Sequence, residues 1–270
     1  MGSRLGRTCP ASLIRPPPWY SGGMRTLQRL VLGLAILGAT TLAHAAERRD
    51  LPSGRPGVTQ PIFVYPAAHP AASAVLFPGG SGAVSAVRRN FLIRAADDFA
   101  AAGVTVAIAD APSDRPGGVD RAFRASEAQA IDTAAVVVFL RSRAPMPVWL
   151  IGTSNGTISA ANAGVRLGPA RIAGVVLTSS VWIGGMQATD FQTLRVPTLI
   201  VHNRNDGCPL SPFDQAAPAL ASLRSAPAKE LIAVSSLASL SGPCEAMSPH
   251  GYLGLEKQVV QRIADWIKTH

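Results

Sequence analysis

Charge is scarce in this chain of 270 residues. Asp, Glu, Lys and Arg make up 15% of it, against 47% hydrophobic residues. That balance argues against disorder over most of the length and suits one large domain with a substantial core. No C-x-x-C pair and no H-E-x-x-H run occurs, so the zinc signatures with recognisable spacing are missing and no metal is expected. No internal repeat and no linker interrupts residues 60–270, which points to a single domain. Acidic residues are missing from residues 1–45, which hold Arg4, Arg7, Arg15, Arg25 and Arg29. The formal charge of +9 therefore overstates the basic character. The remainder carries 20 basic and 16 acidic residues, a formal +4. Those basic residues are scattered. Their densest cluster, Arg88, Arg89 and Arg94, reads as a solvated helix face, and no nucleic-acid partner is expected.

Apolar runs long enough to cross a membrane are also missing. Leu30 to Leu42 falls short of the ~20 apolar residues a span requires. It follows the basic segment Met24 to Arg29 and precedes Ala43-His44-Ala45, a small-x-small pattern. The expectation is a signal peptide starting at Met24 and cleaved before Ala46, with residues 1–23 an upstream extension. No cysteine sits at the cut, so no lipid anchor and no stable membrane anchor is expected. Residues 46–270 would be the mature domain, periplasmic or secreted. Cysteines number three, and cleavage would remove Cys9. The remaining Cys208 and Cys244 are expected to oxidise in an exporting compartment. Closing roughly 36 residues would contribute about 4 kcal/mol in the chain-entropy model.

Apolar runs and helical spacing alternate along the rest. Residues 47–60 are polar and read as a flexible start. Strands are expected at 62–65, 74–77, 104–109, 148–151, 172–178, 197–202 and 230–235. Helices are expected at 86–102, 121–143, 155–167, 213–224 and 256–268. Strands that are apolar throughout and alternate with helices predict an α/β fold, a mostly parallel sheet with helices on both faces. Residues 236–255 show no regular element, and long irregular loops are often functional.

The pentad Gly152-Thr153-Ser154-Asn155-Gly156 follows the apolar run Val148 to Ile151 and precedes a helical stretch. A serine on a tight strand-to-helix turn has a strained backbone and an exposed hydroxyl. With that context the chain resembles the α/β-hydrolase superfamily over residues 58–270. Three features match in order: the Gly-rich turn after Phe77, the pentad, then acid and histidine downstream. The resemblance implies an α/β-hydrolase fold and a Ser-His-Asp triad with Ser154 as nucleophile. His250, between the last strand and the last helix, takes the position of the base. His202 takes that of a structural histidine, and His270 is terminal. Asp206 stands where the acid is expected, with Asp190 as the runner-up and Asp214 as an exposed helix residue. Oxyanion donors would be the backbone N–H of Asn155 and of Gly80, or alternatively Ser81. Pro78 replaces the histidine many relatives carry in that turn.

These positions also give the cysteines a second reading, because a Cys208–Cys244 bond would tie the acid loop to the base loop. The connection from Ser179 to Val196 is too short for a cap domain, so no large lid is expected. Trp182, Ile183, Met186 and Phe191 are either pocket lining or packing, and Asp110 and Asp114-Arg115 either substrate contacts or loop solvation. The expected activity is cleavage of a small-molecule or polymeric ester through an acyl-enzyme, without cofactor. A peptidase or thioesterase of the same fold, and a non-catalytic binding protein, are the alternatives.

Overall fold

The computed structural model describes residues 46–270; the expected signal segment, its start at Met24 and Cys9 lie outside the described residues. Strand β5 (Val148–Thr153) is buried along its whole length. Its side chains alternate between faces, with Val148 and Leu150 in one core and Trp149 and Ile151 in the other. A strand apolar on both faces needs a layer on each, and the chain supplies two. Helices α4 (Glu127–Arg143), α5 (Gly156–Leu167) and α6 (Ala216–Ser222) cover one face. Helices α1 (Phe91–Arg94), α2 (Ala96–Ala101) and α7 (Glu256–Thr269) cover the other.

The sheet has eight strands in the order β1-β2-β4-β3-β5-β6-β7-β8. The other strands are β1 (Glu47–Pro52), β2 (Thr59–Tyr65), β3 (Ala72–Phe77), β4 (Val104–Ala109), β6 (Gly174–Thr178), β7 (Thr198–Asn203) and β8 (Lys229–Val234). β1–β2 and β2–β4 pair antiparallel, and all other neighbours pair parallel. From β3 the chain passes first to β4 on one side and then to β5 on the other. A crevice opens at the carboxyl ends where the order reverses, and this is where open α/β sheets bind ligands. The connection after β6 holds only two single-turn 3-10 helices, Met186–Thr189 and Phe191–Thr193, so no lid domain covers the crevice. Among the described residues no helix is long and apolar enough to cross a membrane.

Several element boundaries differ from expectation, each for a local reason. The polar start is an ordered edge strand, β1, held by backbone pairing with β2 rather than by any apolar pattern. The helix expected at 86–102 begins only at Phe91, where the Asn90 side chain accepts the Leu92 N–H. It breaks again at Ala95. The helix expected at 121–143 is two. Ser126 Oγ donates to the Phe123 carbonyl at the end of α3 (Arg121–Arg124) and accepts the Gln129 N–H at the start of α4. β6 begins at Gly174, two residues late, where a side chain would strike the Trp149 ring.

Candidate active site

Ser154 follows β5 directly and turns the chain into α5 with φ +53, a left-handed value that non-glycine residues avoid. Its N–H is held by the Thr178 carbonyl at 3.1 Å, and its carbonyl accepts from Thr157. The turn can be this tight because of the flanking glycines. A Cβ on Gly156 would collide with the Phe77 carbonyl, and one on Gly152 with the Gly156 backbone. The side chain of Ser154 faces a cavity of about 540 Å³ between the turn after β3 and the loop after β8.

His250 lies on that loop, in a 3-10 turn Pro249–Gly251, and lines the same cavity. Its Nδ1 is 2.8 Å from Asp206 Oδ2. A carboxylate can only accept, so Nδ1 is the donor in this pair, and in the neutral imidazole that tautomer leaves the lone pair on Nε2. Nε2 is buried and, among the described residues, has no hydrogen-bond partner, Ser154 included. Asp206 follows β7 and is fully buried as a side chain. Its Oδ1 accepts the Cys208 N–H at 2.9 Å and its Oδ2 also accepts Ser211 Oγ at 3.1 Å. Burial pushes this carboxyl up. The hydrogen bonds from His202, His250 and the Cys208 N–H outweigh that and hold it at about 2.

His202 is wholly buried beside this pair, with Nε2 donating to the Ser211 carbonyl at 2.9 Å and lying 3.4 Å from Asp206 Oδ2. It has the structural placement expected of it. Asp190 is exposed in the connection before β7, and His270 stacks on Trp266 at the end of α7. Neither is part of the cluster. Asp214 is exposed.

The turn after β3 supplies the opposite wall. Gly80 lines the cavity at φ +59, while Ser81 does not line it. Among the described residues no acceptor meets the backbone N–H of Gly80 or of Asn155. The carbonyls of the turn face the other way. Arg124 Nη2 donates to Pro78 O at 3.1 Å and to Gly80 O at 3.3 Å, and Nη1 donates to Ser159 Oγ on α5 at 3.1 Å. Asn155 Nδ2 adds a bond to Gly80 O, and Asn155 Oδ1 accepts from Arg121. Arg124 is 2% exposed, and among the described residues no carboxylate lies within ion-pair reach of it. Burial brings its guanidinium down to about 10.

The loop carrying His250 is pinned from three sides. Tyr252, at φ +57 and fully buried, accepts the Ser179 N–H at 3.0 Å and donates to Val201 O at 2.8 Å. Ser179 Oγ donates to the His250 carbonyl, and Asn203 Nδ2 to that of Pro249. Arg94 reaches the carbonyls of Ala246 and Gly251 and pairs with Glu256 at 2.6 Å. The Cys208–Cys244 disulfide joins this loop to the one carrying Asp206.

Sequence reasoning missed Arg124, Tyr252, Ser179 and Asn203, whose contacts cross between distant segments. Only Tyr252 had a signal, two residues after His250. Trp182 and Met186 are core residues, Phe191 packs on Trp182, and Ile183 is half exposed; none lines the cavity. Asp110 Oδ1 caps the N–H groups of Val84 and Ala111, Asp114 pairs with Arg55, and Arg115 lies over the Phe123 ring. Arg88 and Arg89 are on the loop before α1, not on a helix face, and both line the cavity. Among the described residues no three His, Cys, Asp or Glu side chains converge as a metal would need.

No family model matches the chain, and no curated protein matches it. Solved structures do. An alpha-beta serine hydrolase homologue from Coxiella burnetii is similar at 16% identity and TM-score 0.61, over 82% of this chain and 98% of that one. An a/b serine hydrolase without lid from Xanthomonas campestris is 18% identical at TM-score 0.57, covering 81% and 95%. Dienelactone hydrolase from Anabaena variabilis is 15% identical at TM-score 0.62, covering 84% and 99%. At such identities the likeness is one of architecture, and by that measure and its own topology the chain has the α/β-hydrolase fold.

Proposed function

We propose that the chain is an exported serine hydrolase that cleaves carboxylic esters through an acyl-enzyme on Ser154. One observation carries the reading. A histidine that donates from Nδ1 to a buried carboxylate, with Nε2 unpartnered among the described residues, lines the cavity that also holds a serine on a strained turn.

In this reading Nε2 removes the Ser154 proton as Oγ attacks the ester carbonyl carbon. Asp206 keeps the imidazole in the Nδ1–H tautomer and stabilises the imidazolium that forms. The free N–H groups of Gly80 and Asn155 receive the developing oxyanion, an effect of about 3 kcal/mol on the barrier per donor. The alcohol leaves with the proton from Nε2. Water then repeats the sequence in reverse order on the acyl-enzyme, releasing the acid and restoring Ser154. The contact between Ser154 Oγ and Nε2 is the one the reaction still has to make, and such bonds commonly tighten only with substrate bound.

The named neighbours, serine hydrolases and a dienelactone hydrolase, support the reaction class by fold analogy. The disulfide supports an oxidising compartment. A fluorophosphonate probe should label the protein, and Ser154→Ala should abolish both labelling and turnover of p-nitrophenyl esters. Absence of labelling and of ester turnover in the unaltered protein would overturn the proposal.

A further inference from the structure

The wall of the cavity nearest the Gly-rich turn is built by residues 85–90, and it carries charge that the chemistry above does not use. Val87 packs against Gly80, and Asn90 Nδ2 approaches Gly79, so this segment lies directly beside the candidate oxyanion turn. Arg88 and Arg89, between those two anchors, line the cavity and are exposed. Among the described residues neither makes an ion pair. Across the cavity the loop after β8 contributes a single acid, Glu245, also unpaired. The walls therefore hold two cations against one anion, and the cations are grouped on one side. Between them the cavity is apolar, with Val87, Phe91 and Met247. Low-polarity walls strengthen the field of such a pair.

A second observation points the same way. Ser241 Oγ, on the opposite wall, is buried with no hydrogen-bond partner. Buried hydroxyls are rarely left unpaired, so among the described residues the cavity lining holds an unspent polar group in addition to the two arginines. A neutral, wholly apolar ester would leave all three polar groups unused. Guanidinium groups match a carboxylate by charge and by their planar array of donors.

We infer that Arg88 and Arg89 form an anion subsite, and that the ester cleaved at Ser154 carries a carboxylate within the span of this cavity. The inference rests on the hydrolase reading for the word "cleaved" but not for the subsite itself. A volume of about 540 Å³ limits the occupant to a small molecule or the end of a longer one.

The test pairs mono-p-nitrophenyl succinate with p-nitrophenyl pentanoate, which match in length and differ in charge. KM for the succinate should be lower by about tenfold or more, the effect of one charge-assisted contact. The double variant Arg88→Gln, Arg89→Gln should remove the difference, and high salt should shrink it. A second arm titrates Ser154→Ala with succinanilic acid and with pentananilide by calorimetry, and needs no turnover. Tighter binding of the acid, lost in the arginine double variant, supports the subsite even if neither ester is cleaved; in that event the hydrolase reading falls alone. Equal KM values with both esters turned over, equal binding in the calorimeter, or a preference that survives the double variant would overturn the subsite.

Discussion

Asp206 and His250 are 44 residues apart in sequence and meet at 2.8 Å between Oδ2 and Nδ1, each side chain at most 4% exposed. The pair is the product of two loops that follow different strands, and the charge on Asp206 is what makes the contact worth holding. The carboxyl sits at about 2, below its ordinary value of about 3.9. A carboxyl depressed on folding adds stability that is complete above its unfolded value and disappears as pH falls through the folded one. The amount at neutral pH is on the order of 2 to 3 kcal/mol. The stability gap between the wild type and Asp206→Asn, measured by urea unfolding, should be constant near neutrality and close between about pH 4 and pH 2. A gap that persists unchanged at pH 2 would contradict the assigned cause. Turnover in Asp206→Asn should fall by about 10³–10⁴-fold, because the imidazole loses its tautomer.

The backbone of Ser154 supplies a second expectation. A left-handed non-glycine residue costs about 1–3 kcal/mol, and the surrounding contacts hold it there. Ser154→Gly relieves that strain while Ser154→Ala retains it. The glycine variant should therefore be more stable than the alanine variant by about 1 kcal/mol, after the added chain entropy of glycine is subtracted. Both should be inactive. Chemical denaturation of the two variants side by side decides it, and equal midpoints would show that the turn is not strained.

The Cys208–Cys244 bond is a test of how the two loops are kept in register. Cys208 donates its N–H to Asp206, and Cys244 lines the cavity four residues before Ser248, whose Oγ accepts the His250 N–H. Cys208 is buried, whereas Cys244 is exposed to a reductant. Reduction should lower kcat by about tenfold or more before the fold melts, because small displacements of catalytic groups are costly. Activity and near-ultraviolet dichroism followed across a dithiothreitol series would show it. Coincident loss of both would assign the bond to general stability, about 4 kcal/mol in the chain-entropy model.

How much of this was open to reading from the chain follows from the range of each signal. β5 and its pentad were visible because a fully apolar run and two glycines are local marks, and the parallel sheet followed from repeated runs of that kind. Asp206 and His250 were named by their order along the chain, Asp206 just past β7 and His250 in the long loop between β8 and α7. β1 was invisible because Glu47-Arg48-Arg49-Asp50 has no apolar face and gains its place through backbone pairing alone. The breaks at Ala95 and Ser126 were hidden because capping competes with helical periodicity over a single residue. Arg88 and Arg89 looked like a solvated helix face only because a helix was expected to start five residues earlier than it does.

Arg124 had no mark at all in the sequence, yet it holds the turn that faces Ser154. Its donors take the carbonyls of Pro78 and Gly80 and the hydroxyl of Ser159, so one buried side chain joins the β3 turn to the helix behind Ser154. With those carbonyls drawn inward, the Gly80 N–H meets no acceptor among the described residues. Arg124→Met keeps the volume but leaves the Pro78 carbonyl unpaired, and Arg124→Lys supplies one point charge that cannot span all three acceptors. Both variants should lose kcat by about 100-fold with little change in KM, because the turn is freed while the rest of the cavity persists. Lysine should recover only a small part of the loss. A rise in KM with kcat preserved would show that Arg124 shapes the binding cavity rather than the proposed oxyanion turn, and steady-state kinetics on p-nitrophenyl pentanoate separates the two.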